Sequence, residues 1–597
     1  MKRFITGTIV VLLLIAACLT AIPFLVSSQT VRNGITAKIE EVTGRKVTFQ
    51  GDPTLSFSPF LGFEISDLEL SSTQNSNDDM PLLKVEKVKA QIDLLPALSG
   101  NVEITEYQFL RPKINLKIDK NGKGNWEFES GGLNQAIQKA VENRTNQTNE
   151  NLPEFTLGDL TITDGILIYE DATSGSKETI TGMNGMLAWS QTASALDISG
   201  NGIWRGEGII TNINIENPIQ IFSGGESEVA VDVNSQPISF TFEGAANMFA
   251  NLFVKGELEA NSPSINRLAE VLNIDLGDFT SSDPWLAKGV LEATANNTNL
   301  SEASFSIGDD TATGVIRISS DKSEKSKLDG TLAFESIDLV NYFNSLGVTL
   351  DKNISPNITN DLNIDLRVSS QSINIGTITL DRVAAAIIMD EQGWTFDIGD
   401  ASAFGGKLIA KLGERIQEDK RQAFLELSTT DMDAQSISDL FTSKVIGISG
   451  KTSFVANVRT NKLVDGLFNS GLNGTFSGSF EEGEITGINL AELIANKDIT
   501  LSSKVFEYND EASTSFQEMK IKLFLNNGVA TLSQSNIKTE ETKIQAIGDI
   551  NLHEGKLDLQ LQEIDEDGPK QFRYIFEGSV LKPNIKLQND EGLVNQN

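Results

Sequence analysis

The sequence predicts a mainly β protein: a single N-terminal transmembrane helix, then a long antiparallel sheet with a few short edge helices. Three observations predict it. The run Phe4 to Val26 carries no charge and directly follows Met1-Lys2-Arg3. Beyond Gly44 the apolar residues recur with a period of two, in sets such as Val88, Ala90, Ile92 and Leu94, or Leu362, Ile364, Leu366 and Val368, which is the spacing of half-buried strands. Glycine recurs between these runs, 49 residues against 14 prolines, so many short strands joined by tight turns are expected.

At about 1.5 Å per residue, a helix over Phe4 to Val26 spans the roughly 30 Å hydrocarbon core of a bilayer. Lys2 and Arg3 keep their end on the cytoplasmic side and send everything after Val26 across the membrane. Three fates are open to this segment. The length of the run favours an uncleaved anchor. Ile15-Ala16-Ala17-Cys18 resembles a lipobox with Cys18 as the acylated residue, although the residues after it stay apolar. Val26-Ser27-Ser28 is a weak small-x-small cleavage site.

Composition narrows the function. Apolar residues make up 39% and charged residues 22%, the balance of a folded body. The net charge of −34, from 82 acidic and 48 basic residues, repels phosphate backbones, so nucleic acid is excluded as a partner. Cys18 is the only cysteine and His553 the only histidine. The exported body therefore has no disulfide, no thiolate metal site and no multi-histidine zinc site. His553, beside a turn at Gly555, reads as a surface residue.

Taken in order, Val31, Ile35, Ile39 and Val42 have helical spacing and Gly44 stops that helix; Leu133, Ile137, Ala140 and Val141 mark another. A unit of alternating strand, polar break and short helical segment recurs four times. It runs from Val254-Leu258 to Leu268-Leu272, from Gly330-Leu332 to Tyr342-Phe343, from Leu425-Leu427 to Leu440-Phe441, and from Gly478-Phe480 to Leu493-Ile494. Asn526-Asn527-Gly528 is a hairpin turn signal, after which Ile544, Ala546, Ile550 and Leu552 line one face of a strand region. A long sheet of this kind must cover its apolar face, close on itself, or hold something apolar.

No stretch carries a complete catalytic or ligand-binding motif. Asp119-Lys120-Asn121-Gly122-Lys123-Gly124 begins like a calcium loop but has Lys123 at the fifth position and Ser130 at the twelfth, so it reads as a hairpin turn. Phe404-Gly405-Gly406-Lys407 lacks the length and the hydroxyl residue of a phosphate loop. Neighbouring carboxylates such as Asp309-Asp310 and Glu481-Glu482 show no cleft. No enzyme activity, metal or cofactor is expected.

An ordered set of motifs resembles the AsmA family of inner-membrane-anchored periplasmic proteins. It comprises the apolar N-terminus with Thr43-Gly44-Arg45-Lys46-Val47 and Gly51-Asp52, then Leu110-Arg111-Pro112-Lys113-Ile114 with Asn125-Trp126, then Ile162-Thr163-Asp164-Gly165. Phe404-Gly405-Gly406 and the C-terminal series Gly474-Thr475-Phe476, Thr514-Ser515-Phe516, Asn527-Gly528-Val529 and Gly548-Asp549-Ile550 continue it. The resemblance implies a groove-forming, chorein-like sheet related to bridge-like lipid-transfer proteins, and a part in phospholipid homeostasis and outer-membrane assembly.

The expected organisation is an anchor over 1–30, an AsmA-like β domain over 31–240, a middle region of strand-helix units over 241–445, and a C-terminal β domain over 446–597. The expected placement is the inner membrane, single-pass, with a cytoplasmic N-terminus and a periplasmic body. Phospholipid is the expected partner, with Ile544, Ala546, Ile550 and Leu552 as candidate lipid-facing residues. The alternative is a scaffold for outer-membrane protein assembly, in which envelope proteins are the partners and the apolar face is packed.

Overall fold

The computed structural model describes residues 28–56, 62–72, 80–92, 104–127, 129–154, 158–247, 252–273, 280–320, 325–345, 362–417, 420–440, 446–461, 470–495, 504–565 and 568–589. The expected membrane helix and Cys18 lie outside them. Among the described residues no helix is long and apolar enough to cross a membrane. The protein is mainly β with a few short helices, and the chain forms two compact units, Met1–Asn273 with Pro284–Thr298, and Ile274–Asp283 with Asn299–Asn597. The expected break at 240/241 falls inside a strand, Ser239–Asn247.

The first unit opens with α1 (Ser28–Thr43), followed by β1 (Val47–Ser56), β2 (Gly62–Leu70), β3 (Leu83–Ile92) and β4 (Ile104–Ile118). Then come α2 (Gly131–Asn146), β5 (Gly158–Asp171), β6 (Ser176–Trp189), β7 (Leu196–Trp204) and β8 (Glu207–Ile215). After α3 (Pro218–Phe222), the strands β9 (Ser227–Ser235), β10 (Ser239–Asn247) and β11 (Phe253–Ser262), then α4 (Ile265–Leu272), lead to β12 (Trp285–Thr294). Each strand pairs with the next in sequence. All these pairings are antiparallel except β4 with β5, which run parallel because α2 carries the chain back between them.

The strand β13 (Asn297–Ile307) leads to β14 (Asp310–Ser319) and β15 (Ser326–Asp338) of the second unit. α5 (Leu339–Ser345), β16 (Leu362–Ile375), β17 (Ile378–Asp390), β18 (Gly393–Ala403), β19 (Gly406–Gln417) and β20 (Lys420–Thr430) follow. A short stretch holds β21 (Met432–Asp433), α6 (Ala434–Ser438) and β22 (Gly447–Ile448). The long strands resume with β23 (Lys451–Thr460) and β24 (Asn473–Gly487), then α7 (Leu490–Ala495) and β25 (Lys504–Val505). β26 (Asn509–Asn526), β27 (Val529–Lys538), β28 (Lys543–Asn551), β29 (Lys556–Asp565), β30 (Gly568–Ser579) and β31 (Pro583–Asn589) complete it. Here too one pairing breaks the antiparallel expectation: β15 and β16 are parallel, across α5.

Local sequence explains the helix ends. Gly44, at φ +67°, ends α1. Its Cβ position lies 2.2 Å from the Ser130 hydroxyl, and that of Gly131 lies 2.4 Å from the Gly44 nitrogen, so two glycines let the end of α1 meet the start of α2. Ser264 caps α4 and Asp433 caps α6. The sequence reading did not anticipate α3, although Asn217, whose side chain accepts the Gln220 N–H, followed by Pro218 at the first turn is a helix start signal.

Strands of the first unit share a crease. Asp67 on β2, Arg111 on β4 and Asp164 on β5 adopt left-handed backbone angles, φ 52°, 50° and 54°. Their ladders place them in one line across the sheet with Glu86 of β3 between the first two. Arg111 binds the Glu86 carboxylate with Nε at 2.5 Å and a second bond from Nη2. Aligned irregularities of this kind bend neighbouring strands together.

Candidate functional site

Helix α1 turns Ile35, Ile39 and Val42 toward the sheet, one face of a helix at spacings of four and three. Below them lies an apolar cleft of about 190 Å³, floored by Ile65, Leu68 and Leu70 of β2, Leu83, Val88 and Ala90 of β3, Tyr107 and Phe109 of β4 and Leu160 of β5. Lys38 and Thr43 are the polar members of its rim. Burial pushes the Tyr107 phenol up to about 12, as expected for a hydroxyl set among hydrocarbon.

α1 is fastened over this cleft by the edge of β1. Glu40 accepts the Val47 N–H at 3.2 Å and Arg32 donates to the Phe49 carbonyl at 3.3 Å, so side chains of the helix occupy backbone groups that an edge strand leaves open. Arg45, 4% exposed, donates to the carbonyls of Ser71, Asn125 and Glu127 at 3.1, 2.9 and 2.7 Å. Three chain segments meet at that one guanidinium.

The cleft is the start of a row. Following direct cross-strand neighbours from β2 to β12 gives Phe63, Ala90, Tyr107, Leu160, Leu187, Ile198, Ile213, Val231, Phe242, Leu258 and Gly289. At about 4.8 Å per strand this row of apolar side chains is about 48 Å long. Phe63 and Ala90 are buried near α1, whereas Leu160, Leu187, Ile198, Ile213, Val231 and Leu258 are half-buried. On the other face Ser199, Asn212, Asp232 and Thr241 oppose one another, beside the exposed Met186, Ile203 and Ile210.

The second unit carries its own rows. One runs Leu332, Val368, Ala385, Ile398, Ala410, Leu427, Ala456, Phe476, Leu523, Leu532, Gly548, Leu559, Phe576, Ile585. Beside it runs Leu366, Ile387, Phe396, Leu412, Leu425, Val458, Gly474, Leu525, Ala530, Ile550, Leu557.

Of the four residues singled out in the sequence, Ile544, Ala546 and Ile550 share one face of β28, and Leu552 follows the strand with its N–H on the Gly528 carbonyl at 3.0 Å. Their surroundings differ. Ile544 is 1% exposed, in a packed cluster with Tyr574, Phe576, Leu490 and, at its margin, Leu493 and Phe506. Ile550 and Leu552 are half-buried. The cleft residues Ile39, Tyr107 and Leu160 were not anticipated as a site, although the helical spacing of Ile35, Ile39 and Val42 directly before the first strands pointed to an apolar helix face there.

The fold and site define a class of β-sheet protein whose successive strands line up rows of apolar residues on one face. The model of the AsmA family matches residues 1–222, so the N-terminal part of the chain is similar to that family. No curated protein and no solved structure matches the chain.

Proposed function

We propose that the protein is an inner-membrane-anchored periplasmic lipid-binding protein that takes phospholipid by its acyl chains onto the apolar rows and supports outer-membrane lipid homeostasis. The observation that carries the reading is the row from Phe63 to Leu258, dry beneath α1 and half-open beyond it. An acyl chain needs a continuous hydrocarbon surface and makes no demand for hydrogen bonds, which is what ten successive strands supply. The apolar run Phe4 to Val26 precedes α1 directly, so the cleft stands closest in the chain to the source of lipid. The protein performs no covalent step under this reading. In the second unit the half-buried Ile550 and Leu552 face lipid, while Ile544 serves the core.

The test is mass spectrometry of lipid bound to the full chain after exchange into a detergent that strips loose lipid. Phospholipid near stoichiometric amounts, lost in Ile213→Asp with the fold intact by circular dichroism, supports the reading. A folded, lipid-free protein favours the scaffold reading, in which the sheet docks envelope proteins instead.

A further inference from the structure

The apolar row of the first unit has a helix at each rim. α3 follows the end of β8 and α4 follows the end of β11. Three antiparallel pairings separate those two strands, so they run in opposite directions and their ends lie on opposite sides of the row. α3 stands with Trp189, Leu187 and Ile198 on the row side of the sheet. α4 is on that side too. By alternation Trp204 shares a face with Ile198, and Glu207 with Ile213, and α4 is bonded to the residues around both.

The two rims are held in different ways. α3 is packed: Ile219 and Ile221 are 0% and 1% exposed, and the rings of Phe222 and Trp189 lie 6.3 Å apart. α4 buries Ala269 and Val271 but leaves Ile265, Leu268 and Leu272 half-buried. Its ties to the β7–β8 hairpin are polar. Arg205 in the hairpin turn donates to the Val271 carbonyl at 2.7 Å, and Arg267 in the first turn of α4 pairs with Glu207. Glu178 and the Trp204 ring, 5.0 Å away, hold Arg205 in place. An eight-residue helix has little stability of its own, and water replaces an exposed ion pair cheaply. Lifting α3 would instead expose two fully buried isoleucines. The rim that can give is the one built by α4.

Resting on the lipid-binding reading above, we propose that α4 is a movable wall. It swings off the β7–β8 hairpin to admit phospholipid to the row between Ile213 and Leu258 and closes beside it, with Arg205 and the Arg267–Glu207 pair as its latch. The swing pivots at Pro263, directly after the buried Ser262 that ends β11.

Two experiments use the full chain in detergent with Cys18→Ser as background. In the first, Glu207→Cys and Arg267→Cys are joined by a bis-methanethiosulfonate crosslinker, which reductant removes. Replacement of bound deuterated phosphatidylethanolamine by unlabelled lipid from micelles is followed by mass spectrometry. The joined protein should exchange lipid severalfold more slowly than the parent. Once reduced, it lacks the ion pair and should exchange about fivefold faster than the parent. Glu259→Cys and Lys288→Cys, joined in the same way across β11 and β12 on the other face, should leave the rate unchanged. Equal rates before and after joining, or equal slowing by this second pair, overturn the moving wall while lipid binding stands.

The second experiment needs no lipid. Ala269→Cys puts a thiol on the buried side of α4, and it should react with a maleimide in the folded protein, faster when Glu207→Gln is added. Protection as complete as that of Ala136→Cys, at a fully buried position of α2, overturns the movement. A chain that holds no phospholipid overturns the lipid reading and the role of the wall with it.

Discussion

Arg32 holds Phe49 in two ways: its guanidinium donates to the Phe49 carbonyl at 3.3 Å and lies 4.8 Å from the centre of the Phe49 ring. With Glu40 on the Val47 N–H, this pins the helix over the cleft to the free edge of the sheet. Arg32→Ala together with Glu40→Ala is expected to cost about 2 kcal/mol, one for each hydrogen bond. Amide hydrogen exchange at Val47 and Phe49 should rise selectively, and an increase spread evenly over the first unit would contradict the clasp.

Gly44→Ala brings two penalties together, a left-handed backbone angle and a Cβ forced against Ser130. A loss of more than about 1 kcal/mol in urea unfolding is expected. Gly51→Ala, at a similar φ of +75° with nothing within 4 Å of its Cβ position, isolates the backbone part, so equal losses for the two would refute the steric contribution.

Replacing Arg45 by Leu leaves three carbonyls without their donor, and about 3 kcal/mol of stability should go with it. Lys at this position is expected to recover little, because one ammonium does not reproduce a planar fork reaching three oxygens. Near-complete recovery by Lys would show that only the charge matters.

Glu178 accepts hydrogen bonds from Arg205 and, at 2.8 Å, from the Trp204 indole, and Arg205 also donates to the Val271 carbonyl at the end of α4 at 2.7 Å. The Arg205 bonds come first among the causes that hold the Glu178 carboxyl below its usual range. A lowered folded pKa stabilises the fold above the ordinary glutamate pKa, and that stability is lost as pH falls through the depressed value. Glu178→Gln should therefore show a smaller drop in Tm than the parent between pH 6 and pH 3. An identical drop would exclude this pair as a contributor.

Ile213→Asp places a charge in the middle of the half-open apolar row, and bound lipid should fall at least severalfold with little change in Tm. The same substitution at Ile544 strikes a fully packed side chain and should instead unfold the C-terminal region, at a cost of several kcal/mol. Thermal melts beside lipid analysis separate the two outcomes.

Much of this architecture was legible in the sequence. Helices α1 and α2 followed from apolar spacing, and Asn527-Gly528 forms its turn with φ of 50° and 79°, the angles a two-residue hairpin demands. Alternation tells which residues share a face, but not which strand lies alongside, so the parallel pairings and the apolar rows were hidden. Nor does alternation separate Ile544 from Ile550: both point the same way, and only distant parts of the chain, Leu490 of α7 and Tyr574 of β30 among them, enclose the first.

The two parallel pairings also bear on assembly. Nearly every strand finds its partner at the next turn of the chain, so the ladder can lengthen by one hairpin at a time, with little loop entropy lost at each addition. At β4–β5 and β15–β16 the growing edge must instead wait for a helix-bearing crossover to return, and at β20–β23 and β24–β26 for an intervening stretch that carries α6 or α7. Those junctions are where a half-built chain pauses with its hydrocarbon side uncovered, and where a chaperone would be needed most.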